Sequence, residues 1–230
     1  MHKLVQIRET NFTDNVAYDG GAVAAVNVPL SVADSRFLGN IAVSEGGAIL
    51  FVGPAPASSV VNSYFEGNTA NLQEEWEAEL QGARLDPFEI WRIVHEEATL
   101  STYGGGAVFV QDVESFTISA CDFRENRARQ GGAIVVNGQA TATELRVAGC
   151  LFQANDANAT GGAVHVNVGG TLTLEQNDFH DNSATAGGAI FSVGGSKIST
   201  SLQRNEQLYF QNNSAVRGGA INCYSCGKHF

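Results

Sequence analysis

Apolar and polar residues alternate in short stretches along the chain, with the period of two that is typical of β-strands. One set of apolar pairs follows a Gly-Gly dipeptide: Ile49 and Phe51, Val108 and Val110, Ile134 and Val136, Val164 and Val166. A second set precedes a Phe: Leu30 and Val32, Phe116 and Ile118, Leu145 and Val147, Leu172 and Leu174. No helical pattern separates the two sets, so two or three short strands are predicted in each of a series of similar units.

The units are copies of one motif. A Phe followed three residues later by an Asn occurs seven times, beginning at Phe12, Phe37, Phe65, Phe123, Phe152, Phe179 and Phe210. In six copies a Gly-Gly pair follows the Phe after 8 or 9 residues, whereas Phe65 is separated from Gly105 by 40 residues. A motif that recurs along the whole chain indicates a repeat protein.

The repeat predicts an all-β fold, a right-handed parallel β-helix of about seven rungs in a single domain over residues 1–230. Rungs of a parallel coil lie about 4.8 Å apart, so equivalent residues stack on one another. The Phe rings are expected to form an apolar column and the Asn side chains a hydrogen-bonded ladder. Asn is also expected to take left-handed backbone geometry at a turn, and the Gly pair to permit a sharp bend.

The repeated FxxN and GGA[IV] motifs resemble the polymorphic outer membrane protein repeat of chlamydial surface proteins. The resemblance covers nearly the whole chain apart from residues 71–102. It implies a pectin-lyase-like β-helix that is exported, displayed at a cell surface and often adhesive. It implies no catalytic residues.

Charge and hydropathy exclude several classes of partner. The net charge is −11, with 24 acidic and 13 basic residues, which disfavours binding to nucleic acid and to anionic lipid. No apolar stretch is long enough for a membrane span, and the first residues lack a signal-peptide core. Neither end shows the polar cap that terminal repeats need, so we expect a fragment of a longer chain.

Residues 71–102 interrupt the repeat and are predicted to form a helical hairpin. The first helix has apolar residues at helical spacing and ends at Gly82, and Asp86, Pro87 and Glu89 are a helix start signal. Eight acidic residues and two Arg give the segment a charge of −6. Its predicted apolar face consists of Trp76, Leu80, Phe88, Trp91 and Val94.

A row of outward positions on the strand after the Gly pair is unusually apolar, and a row of Ala beside it is also expected to face outward. Exposed apolar patches often mark contacts. We therefore hypothesise that the hairpin covers part of the row and leaves the rest as a face for a partner. The alternative is that the hairpin caps the row and nothing else binds. The expected partner face contains Leu50, Phe109, Val135, His165 and Phe191.

The four cysteines form two pairs. Cys121 and Cys150 lie two residues before the Phe of adjacent rungs and are expected to face inward, about one rung apart. That separation permits a disulfide, and stacked free thiols fit the sequence equally well. Cys223 and Cys226 form a CxxC motif, for which buried packing is favoured first, then a disulfide, and last a zinc site, which lacks a fourth ligand.

Three Asn-X-Ser/Thr sequences are candidate glycosylation sites, at Asn11, Asn158 and Asn212. All three are expected at rung corners, where an attached sugar would project. They have meaning only in a eukaryotic protein that is exported.

The sequence gives little support for a catalytic site or a metal site. Paired carboxylates must stand within about 5–10 Å to cleave a glycosidic bond, but Asp122 and Asp178 are separated by a rung that carries Leu151. His165 and His180 differ in motif position and are interpreted as surface residues rather than metal ligands. No cofactor is expected.

The favoured function is a structural or adhesive module at the cell surface or outside the cell, in the outer membrane or the cell wall. Its outer faces would bind a protein or a glycan, neighbouring copies, or further rungs of the same chain, without insertion into a membrane. The alternative is a β-helix that binds or cleaves polysaccharide.

Overall fold

The computed structural model describes residues 4–54, 58–70, 104–200 and 207–224. Within these ranges the chain forms 28 short strands, β1 to β28, and no helix. The strands lie in four parallel sheets of seven strands each. The chain is therefore the parallel β-helix that the repeat predicts, although each rung has four strands rather than two or three.

Each rung contributes one strand to each sheet, in the order A, B, C, D. Sheet A contains β1 (Val5–Arg8), β5 (Leu30–Ala33), β9 (Ser58–Val61), β13 (Phe116–Ser119), β17 (Thr143–Ala148), β21 (Gly170–Glu175) and β25 (Lys197–Thr200). Sheet B contains β2 (Asn11–Thr13), β6 (Arg36–Leu38), β10 (Tyr64–Glu66), β14 (Asp122–Arg124), β18 (Leu151–Gln153), β22 (Asp178–His180) and β26 (Tyr209–Gln211).

The remaining two sheets complete the coil. Sheet C contains β3 (Val16–Ala17), β7 (Ile41–Ala42), β11 (Thr69–Ala70), β15 (Arg127–Gln130), β19 (Asp156–Thr160), β23 (Ser183–Ala186) and β27 (Ser214–Arg217). Sheet D contains β4 (Val23–Val26), β8 (Ile49–Val52), β12 (Val108–Gln111), β16 (Ile134–Asn137), β20 (Val164–Val166), β24 (Ile190–Val193) and β28 (Ile221–Tyr224).

The seven motif Phe side chains form one column inside the coil, as predicted. Neighbouring rings are 4.7 to 4.9 Å apart and within 9° of parallel. The apolar pairs of sheets A and D surround the column in a single core. The motif Ala also belongs to this core, through Ala48, Ala107, Ala133, Ala163 and Ala189. The expectation that the Ala row faces outward is therefore wrong, because Ala packs inside the bend that the Gly pair makes.

The motif Asn side chains form the predicted ladder at the corner between sheets B and C. In a typical rung, Asn68 Nδ2 donates to Asn126 Oδ1 at 2.9 Å and to the Phe37 carbonyl oxygen at 3.0 Å. Asn126 Oδ1 also accepts from the Asn68 backbone N–H at 3.1 Å. The amide of each interior Asn thus makes all four of its hydrogen bonds without water.

Left-handed geometry falls on the residue before each motif Asn, not on the Asn itself. These residues have φ between 53° and 62°: Asp14, Gly39, Gly67, Glu125, Ala154, Asp181 and Asn212. The prediction that Asn takes this conformation is wrong. The left-handed residue makes the bend, and the bend turns the following Asn inward, where its amide bonds along the axis.

The two glycines of each Gly pair have different roles. The first has φ between 58° and 71° in every rung. The second lies against the backbone of the next rung: a Cβ on Gly132 would stand 2.1 Å from the Gly162 carbonyl oxygen. Both roles exclude a side chain, which explains why the pair recurs.

We expect Gly132→Ala to lower the free energy of unfolding by at least about 3 kcal/mol, since its Cβ would force adjacent rungs apart. The control is Gly149→Ala. Unlike Gly132, Gly149 has a positive φ, 60°, but a Cβ there meets no atom within 4 Å, so left-handed geometry alone sets the cost, at about 1 kcal/mol. Urea unfolding measures both. Equal losses would contradict the close approach between rungs.

Asn126→Ala is expected to lower the free energy of unfolding by at least about 3 kcal/mol, because buried groups of Asn68 and Phe65 lose their partners. Asn15→Ala is the control. Asn15 is exposed at the end of the ladder. Its side chain donates to Asn40 Oδ1, which also accepts from the Asn15 backbone N–H, so loss of the side chain costs about 1 kcal/mol or less. Thermal and urea unfolding measure the difference, and similar values for the two variants would show that the ladder contributes little.

Candidate functional site

The outward row on sheet D is largely buried. Leu50, Phe109 and Val135 are 6%, 0% and 0% exposed and form an apolar cluster separate from the interior core, with Val52 packed against it. Their strands are in register, so their side chains stack at the rung spacing. Val135 also lies over the corner at Gly131. These three residues are therefore buried rather than exposed, and a partner face at this end of the row stays a prediction.

The last part of the same row differs. His165 is 3% exposed, which also contradicts its interpretation as a surface residue. Phe191 and Asn222, the next two members, are half-buried. Of the predicted partner face, only Phe191 lies at an opening.

The opening is a groove of about 390 Å³ between sheet C and sheet D. It runs along rungs five to seven, which consist of strands β17 to β28. Sheet D supplies the floor through Phe191, Asn222 and Tyr224, and sheet C supplies the wall. The described lining consists of Asn158, Ala159, Thr160, Thr185, Ala186, Phe191, Arg217, Asn222 and Tyr224. It combines two aromatic rings with amide, hydroxyl and guanidinium groups.

An irregular strand shapes the wall of the groove. β19 has one residue more than its neighbours, and its register shifts between Ala157 and Thr160 in both pairings. Asn158 and Ala159 lie in this bulge, and the Asn158 side chain is exposed. β-Bulges commonly re-aim side chains beside functional sites. Here the bulge brings an amide to the rim of the groove.

The side chain of His165, a neutral imidazole, packs beneath the floor of the groove. His165 Nδ1 lies 2.8 Å from the Thr160 hydroxyl, and its ring stacks on Phe191 with centroids 5.3 Å apart. Burial lowers the pKa of His165 from 6.5 to about 4. The imidazole is therefore uncharged at neutral pH and supports Phe191 as part of an apolar platform.

Arg217 is the only charged side chain in the described lining of the groove. It is exposed, and the ion pairs between described residues involve other arginines: Arg124, Arg127 and Arg146. In a chain whose net charge is −11, the described lining is thus locally positive. Such a site favours a neutral or anionic ligand.

The described cysteines differ in oxidation state. Cys121 and Cys150 are buried free thiols, and the Cys121 backbone N–H donates to Cys150 Sγ at 3.4 Å. A hydrogen bond between the two thiol side chains, followed by burial, raises the pKa of the Cys121 thiol. Of the two alternatives for this pair, the structure has free thiols and not a bridge. Cys223 is disulfide-bonded rather than free and buried, and Cys226 lies outside the described residues.

The three candidate glycosylation sites are exposed, at Asn11, Asn158 and Asn212. Only Asn212 lies at a corner, where its φ is 54°. Asn11 lies in β2 and Asn158 in β19, so the expectation of three corner positions is wrong for these two. Glycosylation itself stays a prediction.

The carboxylates and other candidate ligands form no compact cluster. Asp122 and Asp178 each pair with Leu151 in sheet B, so they lie two rungs, about 10 Å, apart. Asp122 is bonded to Arg124 at 3.0 Å. Within the described ranges, no three His, Cys, Asp or Glu side chains are placed to hold a metal ion.

The predicted helical hairpin, including Trp76, Leu80, Phe88, Trp91 and Val94, lies outside the described residues. Its position on the outer row stays a prediction. In the part of the chain that the structure describes, no helix is long and apolar enough to cross a membrane.

Sequence reasoning missed most of the groove. Asn158 was noted only as a glycosylation candidate, and Thr185, Arg217 and Tyr224 were not noted at all. One signal was present: Phe152 is followed by its Gly pair after 9 residues, whereas Phe179 is followed by its pair after 8. That extra residue is the bulge.

Comparison with known proteins supports the repeat. Residues 207–224 match the Chlamydia polymorphic membrane protein repeat. No curated protein and no solved structure matches the chain. The matched segment lies in the seventh rung, which includes Arg217, Asn222 and Tyr224 of the groove.

The pH dependence of stability tests the buried histidine. Unfolded His165 takes up a proton near pH 6.5 and the folded residue only near pH 4, so the folded state loses stability as the pH falls between these values. The loss at pH 4 is about 3 kcal/mol. Urea unfolding of the wild type and of His165→Gln at pH 7 and pH 4 isolates this contribution from that of the carboxylates. If both proteins lose the same stability, His165 is not buried in the neutral form.

Proposed function

Because the chain is a parallel β-helix built from repeats of the polymorphic membrane protein type, we propose that it is a surface-exposed, non-enzymatic binding module. It is located at the cell surface or outer membrane, and its outer face binds a protein or a glycan. The observation that carries the proposal is the open groove along rungs five to seven, which is lined by both polar and aromatic side chains. The interior of the coil, in contrast, holds the stacked apolar side chains of the core.

The architecture suits such a role. Each rung is bonded to the next in four sheets, and the Asn ladder and Phe column join the same rungs from inside. A scaffold of this kind holds surface side chains in fixed positions, which reduces the entropy that is lost on binding. Adhesion follows from rigid presentation of the groove, without any chemical step.

Cleavage of polysaccharide is the second candidate. It requires a pair of carboxylates, or a carboxylate with another acid or base, at the bound sugar. The described lining of the groove contains no Asp or Glu. The geometry therefore favours binding over cleavage at this site.

We expect beads that carry the folded chain to bind arrayed glycans or cell-surface proteins, and the chain to release no reducing ends from polysaccharides. Binding is measured by bead retention, and turnover by a reducing-sugar assay on the same panel. Heat-denatured chain is the control for non-specific retention. Turnover of any uronic-acid polymer, or equal retention of folded and denatured chain, would contradict the proposal.

A further inference from the structure

The groove has the chemistry of a site for an acidic sugar. In its described lining the only charged residue is a cation, Arg217, which is exposed within an acidic chain. A guanidinium group is planar and matches a carboxylate with two parallel hydrogen bonds. Opposite charge therefore selects an anion, and the shape of the group favours a carboxylate.

Polar groups around Arg217 suit a ligand rich in hydroxyl groups. Asn158 and Asn222 each carry an amide that donates and accepts. The Asn222 amide already donates to the Arg217 carbonyl oxygen at 3.3 Å, and its oxygen remains an acceptor. Thr185 is held by a 3.0 Å bond to the Asn158 carbonyl oxygen. Amides and hydroxyls on neighbouring rungs thus line the same groove as Arg217.

Two rings provide apolar surface beside these groups. Phe191 is fixed by its stack on His165, and Tyr224 is 69% exposed. The C–H face of a sugar ring is apolar, and its removal from water against an aromatic ring is favourable. A purely ionic ligand would make no use of these two side chains.

The size of the groove favours a sugar over a protein. Its volume of about 390 Å³ is in the range of small-molecule sites. A stable protein interface covers about 800 Å² on each partner, so a protein would need much more surface than the groove offers. One or two sugar units can be held by the groove alone.

We propose that the groove formed by Asn158, Thr185, Phe191, Arg217, Asn222 and Tyr224 binds a carboxylate-bearing sugar of a glycan, with Arg217 paired to the carboxylate. The proposal rests on the proposed binding function and specifies its ligand. Uronic acids and sialic acids share this chemistry. In both, the carboxylate lies on a sugar ring that packs against Phe191 and Tyr224.

The test is calorimetric or NMR titration of the chain with four probes: a glucuronic-acid disaccharide, sialyllactose, neutral lactose and a tetraglutamate peptide. We expect one or both acidic sugars to bind with dissociation constants of about 0.1 to 1 mM, and lactose and the peptide to bind at least tenfold more weakly. Which acidic sugar binds identifies the source. Equal binding of the peptide would overturn the proposal in favour of a peptide site.

Variants locate the site. Arg217→Gln and Tyr224→Ala are expected to weaken binding of the acidic sugar about tenfold or more. Arg8→Gln is the control, because Arg8 is exposed on sheet A, away from the groove, and its loss changes the net charge equally. Unchanged unfolding curves show that the variants are folded.

Two negative results have different meanings. If no acidic sugar binds at 10 mM, or if Arg217→Gln binds as well as the wild type, the groove assignment is wrong. The binding function is then still supported if the beads adhere to another glycan or to a protein. If the beads adhere to nothing, the proposed function itself fails.

Discussion

The fold depends on one constraint: every buried amide of the Asn ladder makes all its hydrogen bonds only when the adjacent rungs present an identical Asn and the matching backbone groups. Asn126 takes two hydrogen bonds from Asn68 and gives one to Asn155 and one to the Phe65 carbonyl oxygen. A rung without Asn would leave buried groups of its neighbour unpaired, at a cost of about 1–3 kcal/mol for each group. The backbone must therefore superpose in every rung, and the Phe column and the glycine contacts follow from that superposition.

The same constraint leaves the outside of the coil free to vary. An inward residue must match its copies above and below, whereas an outward residue need only be compatible with its two neighbours. The row on sheet D changes accordingly from Leu50 and Phe109 to Phe191 and Asn222. Function can thus differ from rung to rung on one scaffold, and the bulge in β19 adds a local change of shape without disturbing the interior.

The alternation of apolar residues and the spacing of the Phe and Asn motif predicted the interior well. An inward side chain is buried because the strands of its own rung enclose it. The outer surface was predicted poorly. Phe109 and His165 alternate with core residues and were expected to face a partner, but they are buried, and the exposure of an outward residue depends on what lies over it. Left-handed corners were also missed, since Ala120, Ala154 and Gln176 occupy them, and these residue types carry no turn signal. In the groove, Arg217 and Tyr224 have no copies in other rungs that would draw attention to them.

The groove and the buried histidine are linked by electrostatics. A protonated imidazole beneath Phe191 would add a second positive charge close to the groove and would require water to enter the floor. Burial keeps His165 neutral down to about pH 4, so in the described lining the charge comes from Arg217 alone at neutral pH. The aromatic rings of the floor and the single cation of the described wall place the two parts of an acidic sugar, its ring face and its carboxylate, on different surfaces. Sheets C and D, which meet at the Gly pair, therefore determine the orientation of the ligand.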